Sequence, residues 1–268
     1  MDNRPIGVFD SGLGGLTAMK ALRELMPDEN IIYFGDTGRM PYGVRSPAQL
    51  KIMAKQDLDF AASCGAKAVL AACGTVSSTA REVLEAYPLP VVGVMLPGLR
   101  ALSREAHIGP VGVIATSASI KSGVFAAEFE KLCPGQKLYA AACQDFVTLI
   151  ESGHTEPGDP LLTEAVERYL APLKKARVSA LLLGCTHFGL VAEAIREYMD
   201  YDIRLVSASQ SAAEELCGFL RANGMTGGEG RERFFTSGST EEFSRRASIF
   251  IGHGIDRVEQ APLMEAEL

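Results

Sequence analysis

Short apolar runs alternate with helical patterns along almost the whole chain. Most of these runs are continuous rather than alternating apolar with polar positions, which is typical of parallel strands covered by helices on both faces. Strands are predicted at residues 6–9, 31–34, 68–72, 91–95, 111–115, 138–142, 180–183 and 204–206. Strand, helix and strand in regular succession predict an α/β fold with right-handed crossovers.

The helix boundaries are marked by capping residues. Ser46-Pro47 and Asp159-Pro160 each give an N-cap residue followed by proline at the first helical position. The first of these helices is expected to end at Gly65 and to bury Leu50, Met53, Leu58 and Ala61. A helix following the first strand has apolar residues at helical spacing, namely Leu16, Met19, Leu22 and Leu25.

A weak internal duplication suggests two similar domains of about 100 residues. The segment starting at Ile6 resembles the one starting at Val111, 105 positions later. An apolar run ending at Cys73 resembles one ending at Cys185, 112 positions later. Chance similarity between apolar strands is the alternative. No linker separates the halves, so a boundary near Pro97 or Ser207 is a tight one.

Composition and charge narrow the class of protein. The chain has 268 residues and a formal net charge of -7, which argues against general nucleic-acid binding. Its apolar runs are far shorter than a membrane span, and the N-terminus has no signal-peptide pattern. Six cysteines without a CxxC pair indicate reduced thiols in the cytoplasm. We expect a cytoplasmic globular protein with a frayed acidic tail at residues 264–268.

The two cysteine-tipped strands are the strongest candidates for chemistry. Cys73 is followed at the second position by Thr75, and Cys185 is followed directly by Thr186 and His187. Two such strand ends facing one cleft suit a reaction in which a proton leaves one face of a carbon and another arrives on the opposite face. His187 is a candidate proton partner of Cys185, and Asp10 of Cys73. Buried packing is the alternative for any cysteine, and it is assigned to Cys64, Cys133, Cys143 and Cys217.

Three turns could bind a polar ligand. The Gly-rich turn after Asp10 is either a tight turn or an anion site, and it does not match GxGxxG because Thr17 takes the place of the third glycine. In the loop after the second strand, Tyr42 and Gly43 offer a hydroxyl and an N–H, and Pro41 stiffens the backbone. The hydroxyl cluster around Ser119 either caps a helix or binds a carboxylate.

Taken together, the motifs resemble those of the glutamate racemases, in the aspartate/glutamate racemase superfamily. The matching segments lie in the family's order and span most of the chain; they are residues 9–15, 35–37, 41–43, the Ala-Cys73-x-Thr75 segment, 143–151 and 184–187.

The resemblance implies two α/β domains, residues 1–97 with 208–268 and residues 98–207, with the active site at their interface. It implies interconversion of L- and D-glutamate without a cofactor or metal, in a cytoplasmic homodimer that supplies D-glutamate for peptidoglycan. Cys73 would act on D-glutamate and Cys185 on L-glutamate, assisted by Asp10 and His187. The implied substrate-binding residues are Ser11, Pro41, Tyr42, Gly43, Gly74, Thr75, Ser119 and Thr186.

Four positions depart from the family pattern: Gly74 stands in place of Asn, Ser119 of Thr, Phe188-Gly189 of Tyr-Pro, and Ser207 of an acidic residue. They leave open a racemase of aspartate or another acidic amino acid, and a weakly active regulatory or binding homologue, since some glutamate racemases also bind DNA gyrase. A nucleotide-binding Rossmann protein is disfavoured by the imperfect Gly motif. A zinc site from Cys73, Cys185 and His187 is disfavoured by the absence of paired-ligand spacing.

Overall fold

Two parallel sheets flanked by helices form the protein. The structure, a computed structural model, describes residues 1–262, so the expectation for the acidic tail lies outside the described residues. A six-stranded sheet has the order β10-β9-β2-β1-β3-β4, and a four-stranded sheet has the order β6-β5-β7-β8. The strands are β1 Ile6–Asp10, β2 Ile31–Gly35, β3 Ala68–Ala71, β4 Val91–Gly93, β5 Val111–Ala115, β6 Leu138–Ala142, β7 Ala180–Leu183, β8 Arg204–Ser207, β9 Glu232–Thr236 and β10 Val258–Gln260.

Helices connect the strands and cover the sheets. They are α1 Leu16–Leu25, α2 Pro47–Ser63, α3 Gly74–Thr79, α4 Arg81–Glu85, α5 Met95–Glu105, α6 Ser117–Lys121, α7 Val124–Leu132, α8 Gln144–Glu151, α9 Pro160–Lys175, α10 Ala192–Met199, α11 Ala208–Ala222 and α12 Thr240–Ile251, with 3-10 helices at Tyr42–Val44 and Thr186–Val191. Within residues 1–262, no helix combines the length and apolar character needed to cross a membrane.

The caps expected from the sequence are present. The Ser46 side chain accepts a hydrogen bond from the Gln49 N–H, and the Gln49 side-chain oxygen accepts one from the Ser46 N–H. Asp159 accepts from the N–H groups that open α9. Helix α2 ends at Ser63, two residues before Gly65, and buries the four predicted residues. Local capping therefore fixes where both helices begin.

All eight predicted strands are confirmed; four of them end one residue away from the predicted position, one ends two residues early, and two strands were missed. The fourth strand stops at Gly93, because Met95 already begins α5. The missed strands, β9 and β10, lie at one edge of the larger sheet. β9 mixes charged and aromatic residues and β10 has three residues, so neither gives the continuous apolar run of a central strand.

The two halves of the chain repeat one strand order. The order β2-β1-β3-β4 in the first sheet corresponds to β6-β5-β7-β8 in the second. The first sheet takes its strands from residues 6–93 and 232–260, and the second takes them from residues 111–207. This repetition supports the duplication. The boundaries at Pro97 and Ser207 stay predictions, since α5 runs through the first and packs on α11 as well as on β7.

Candidate active site

Cys73 lies where β3 gives way to α3. It is the N-cap residue of α3 and is 4% exposed. Burial raises the pKa of the Cys73 thiol well above its usual range, and the neighbouring Asp10 charge raises it further, while the Val76 N–H and Ser11 oppose both. Cys73 is therefore a protonated thiol in the free protein.

Asp10 ends β1, the strand that pairs with β3. Its carboxylate accepts the Gly15 N–H at 2.9 Å, so the Gly-rich turn considered as an anion site is occupied here by the protein's own carboxylate. Burial raises the pKa of Asp10, and the charge of His187 and three backbone N–H groups lower it in part. Asp10 is thus close enough to influence the ionisation of both Cys73 and His187.

Cys185 follows β7 and precedes the 3-10 helix Thr186–Val191. It is 8% exposed, and its sulfur lies 3.7 Å from Nδ1 of His187. Burial alone would lower the pKa of His187, but hydrogen bonds to Cys185 and Glu151 and the nearby charge of Asp10 raise it to about 10. His187 is therefore an imidazolium at neutral pH, and it forms a pair with Cys185 that can exchange one proton.

A carboxylate contacts the second ring nitrogen of His187. Nε2 of His187 lies 3.1 Å from Oε1 of Glu151, the last residue of α8. Arg246 of α12 donates to the Glu151 carbonyl oxygen and lies 3.6 Å from Oε2 of its carboxylate. The ring orientation is thus fixed by a chain of contacts that reaches from α12 to Cys185.

The two cysteine-bearing ends meet backbone to backbone. A Cβ atom added at Gly74 would lie 2.6 Å from the Gly184 carbonyl oxygen and 3.8 Å from Cα of Cys185. A Cβ atom at Gly14 would lie 2.3 Å from Nδ1 of His187. Position 74, where the resemblance leads one to expect asparagine, therefore has no room for a side chain unless the halves shift.

Hydroxyl groups bridge the same junction. Thr75 Oγ1 lies 3.2 Å from Thr116 Oγ1, and Ser78 donates to Ser119 Oγ at 3.1 Å. The Thr116 and Ser119 hydroxyls are also bonded to each other, at 3.0 Å. Ser119 is fully buried and bonds across the halves, and its predicted role in substrate binding stays a prediction. On the Cys185 side, Thr17 donates to the Thr186 carbonyl oxygen.

The loop Pro41, Tyr42 and Gly43, called the 41–43 loop below, borders the junction. Its Tyr42 hydroxyl was expected to meet a ligand, but Tyr42 is 1% exposed and its hydroxyl bonds two buried carboxylates, Asp36 and Asp57. Gly43 lies against the Gln144 side chain. A cavity of about 550 Å³ opens beside the loop, lined from both halves by residues that include Gly43, Arg45, Thr79, Ser117, Lys121 and Gln144.

Sequence reasoning missed several residues of this site. Glu151 lies in a matching segment but received no role, because its partner His187 is 36 positions away. Arg246 gave no signal at all. Asp57 gave one that was overlooked, since a charged residue stands on the inward face of α2 beside Met53, Ala54 and Ala61.

The remaining cysteines fit the packing interpretation. Cys143 and Cys217 are buried in the core, and Cys64 and Cys133 are half-buried. Among the residues from 1 to 262, no group of three or more His, Cys, Asp or Glu side chains is placed to hold a metal ion.

The protein thus has two similar α/β halves, and each half places one free cysteine where the two meet. This combination of fold and site is that of a family of racemases. The Asp/Glu/hydantoin racemase family model matches residues 15–216, and the chain belongs to this family. Among curated relatives, glutamate racemase from Beutenbergia cavernae is 37% identical over 284 residues, spanning all of this chain and 96% of the relative.

Solved structures agree with this placement. Glutamate racemase from Francisella tularensis in complex with D-glutamate superposes with a TM-score of 0.88 at 34% identity, covering 98% of each chain. An isoform of glutamate racemase from Bacillus anthracis gives a TM-score of 0.90 at 32% identity, covering 98% of this chain and 99% of the other.

Proposed function

We propose that this protein interconverts L- and D-glutamate by a two-base reaction at Cα. The observation that carries the proposal is the junction itself: two buried cysteines follow corresponding strands of the two halves, and their strand ends touch. Each lies near an ionisable side chain, Asp10 for Cys73 and His187 for Cys185. The names and the structural similarity of the relatives support glutamate as the substrate.

In the proposed reaction, one cysteine acts as thiolate and the other as thiol. Toward L-glutamate, the Cys185 thiolate removes the Cα proton and the Cys73 thiol donates its own proton to the opposite face. The free protein is prepared for this direction, because Cys73 is protonated and the imidazolium of His187 faces Cys185. Toward D-glutamate the roles reverse, and Asp10 takes the proton that Cys73 must first release.

The chemistry needs neither sulfur to be strongly nucleophilic, but it needs precise placement. The Cα proton of an amino acid is very weakly acidic, so donors must stabilise the developing carbanion. Base and acid must also be held on opposite sides of one carbon. We propose Ser11, the backbone of the 41–43 loop, Gly74, Thr75 and Thr186 as the groups that hold the substrate, with Thr75 released from Thr116 on binding.

Deuterium incorporation tests this function. Purified protein is incubated with D- or L-glutamate in D2O, and optical rotation and α-deuterium are followed together, with D- and L-aspartate in parallel. We expect loss of rotation and uptake of deuterium with both glutamate enantiomers, without added cofactor. Activity with aspartate alone would redirect the assignment to another acidic amino acid, and silence with both substrates would leave a binding homologue.

We further propose that the enzyme works as a cytoplasmic homodimer and that its D-glutamate is used to build peptidoglycan and so to maintain cell shape. The resemblance of the sequence supports this role. Light scattering should give twice the chain mass of 28.6 kDa. Loss of the gene should be rescued by D-glutamate but not by the L enantiomer. A monomer, or growth without D-glutamate, would contradict the respective statement.

A further inference from the structure

A buried group of ionisable side chains lies at the 41–43 loop, and none of these side chains has a role in the proposed reaction. It consists of Asp36, Arg39, Tyr42 and Asp57, called the acid cluster below. Asp36 and Asp57 have no exposed surface, Tyr42 is 1% exposed, and the Arg39 side chain is 11% exposed. Three acids therefore share a water-poor site with one cation.

Counting protons assigns the state of each acid. Asp36 receives hydrogen bonds from Arg39 Nε at 2.6 Å and from Ser237 Oγ at 2.6 Å, as expected of an ionised carboxylate. The single hydroxyl proton of Tyr42 is directed to Oδ2 of the same carboxylate. The Tyr42 oxygen also lies 2.9 Å from Oδ2 of Asp57. That second contact needs a proton of its own, and Asp57 is the group that can supply it.

Counting charge leads to the same assignment. Arg39 contacts both carboxylates, with its Nη2 3.0 Å from Oδ1 of Asp57, and one guanidinium neutralises one carboxylate. A second ionised carboxylate would be an uncompensated buried charge, which is strongly unfavourable. Burial, followed by the charge of Asp36 and with a contribution from Asp10, raises the pKa of Asp57 well above its usual range; Arg39 and the Tyr42 bond oppose this only in part.

We propose that Asp57 is a positioning residue: it remains a neutral carboxylic acid at neutral pH, donates its proton to the Tyr42 hydroxyl, and thereby fixes the 41–43 loop at the substrate cleft. The role of the loop rests on the proposed function; the protonation state does not. The cluster also reaches the reaction centre through the backbone, because the Asp36 N–H donates to the Asp10 carbonyl oxygen at 2.9 Å.

The protonation state can be measured without any activity. Protein labelled with carboxyl-13C aspartate is titrated by NMR, and the Asp57 signal is assigned as the one that the Asp57→Asn variant lacks. We expect this signal at the position of a protonated acid at pH 7, ionising only at alkaline pH. A signal at the ionised position at pH 7 would overturn the proposal.

The positioning role is tested by kinetics on racemising protein. Asp57→Leu replaces the carboxylic acid with an apolar side chain of similar size and so removes the hydrogen-bond donor. It should raise KM for glutamate about 10-fold with a smaller change in kcat. Asp57→Asn retains an N–H donor and should restore KM to within about 3-fold of the wild type. The wild-type KM should rise at alkaline pH, where that of the Asp57→Asn variant does not.

Two controls separate positioning from general destabilisation. Asp59→Leu lies two positions along the same helix, where the side chain is 37% exposed and paired with Lys55, and it should leave KM unchanged. In a Tyr42→Phe background, Asp57→Leu should add no further increase in KM. An equal increase with and without the Tyr42 hydroxyl, or no rescue by asparagine, would refute the positioning role. Absence of racemase activity in the wild type would instead refute the proposed function and leave the NMR result standing.

Discussion

The two cysteine-bearing strand ends occupy equivalent places in the repeated strand order but differ in their surroundings. Cys73 lies among backbone N–H groups, with Ser11 and a buried Asp10, and burial keeps it protonated. Cys185 has a side-chain relay of His187, Glu151 and Arg246 behind it. The comparison shows that one repeated strand order can place two cysteines in different electrostatic surroundings.

Removing either sulfur should have the largest effect. We expect Cys73→Ala and Cys185→Ala each to lower kcat for racemisation about 10³-fold or more, because in the proposed reaction each cysteine supplies the acid-base group on one face of Cα. Optical rotation with each enantiomer measures the loss. Cys217→Ala, which removes another buried thiol from α11, should stay active. If either alanine variant retained full turnover, the two-base assignment would be wrong.

Substitution of Gly74 tests whether the two ends must touch. A Cβ atom 2.6 Å from the Gly184 oxygen should push the halves apart, and Gly74→Ala should lower kcat/KM about 100-fold, as displacements near 1 Å do. Gly218→Ala is the control, since a Cβ atom there meets nothing within 4 Å. Wild-type kinetics in Gly74→Ala would mean that the contact is not needed for turnover.

Neutralising Glu151 should affect only the Cys185 side. In Glu151→Gln the pKa of His187 should fall below its value of about 10, and kcat/KM should fall about 10-fold. Because enantiomers are equal in energy, kcat/KM must fall equally in both directions. Compared with the wild type, Glu151→Gln should show a larger α-deuterium isotope effect with L-glutamate and a smaller one with D-glutamate. Equal changes with both enantiomers would mean that Glu151 does not act on the Cys185 side alone.

The same histidine predicts a dependence of stability on pH. In the folded protein the pKa of His187 is about 10, above its ordinary value of 6.5, so the protonated ring stabilises the fold. This stabilisation is fully present below pH 6.5 and is lost as the pH rises through about 10. Urea unfolding at several pH values should show the decline in wild type, and a smaller one in Glu151→Gln. Asp159→Asn, at the half-buried partner of His154, should keep the wild-type decline.

The smallest effect is expected at the hydroxyl bridge. Ser119→Ala removes the bond from Ser78 across the halves, but Ser78 keeps the carbonyl oxygens of Gly74 and Thr75 as partners. The free energy of unfolding should fall by about 1 kcal/mol. A large loss of substrate affinity without loss of stability would contradict this expectation and support the predicted role of Ser119 in substrate binding.

The sequence predicted what is encoded locally. Continuous apolar runs identified eight strands, proline and capping residues located two helices, and the residues around Cys73 and Cys185 indicated a candidate site. Contacts between distant residues were out of reach: β9 pairs with β2 across some 200 positions, and Glu151 meets His187 only after α8 packs on the Thr186–Val191 helix. From the sequence, Gly74 is only a position that lacks the asparagine side chain of the family pattern. In the folded protein, the Gly184 carbonyl oxygen leaves no room for a side chain there.

The split origin of the larger sheet has a consequence for how the protein is made. The four strands of the second sheet are contiguous in the chain, so that sheet can pair fully while later residues are still on the ribosome. β2, by contrast, keeps one edge without its partner until residues 232–236 have been synthesised. The second sheet can therefore be complete before the first, whose edge strands β9 and β10 are synthesised after it.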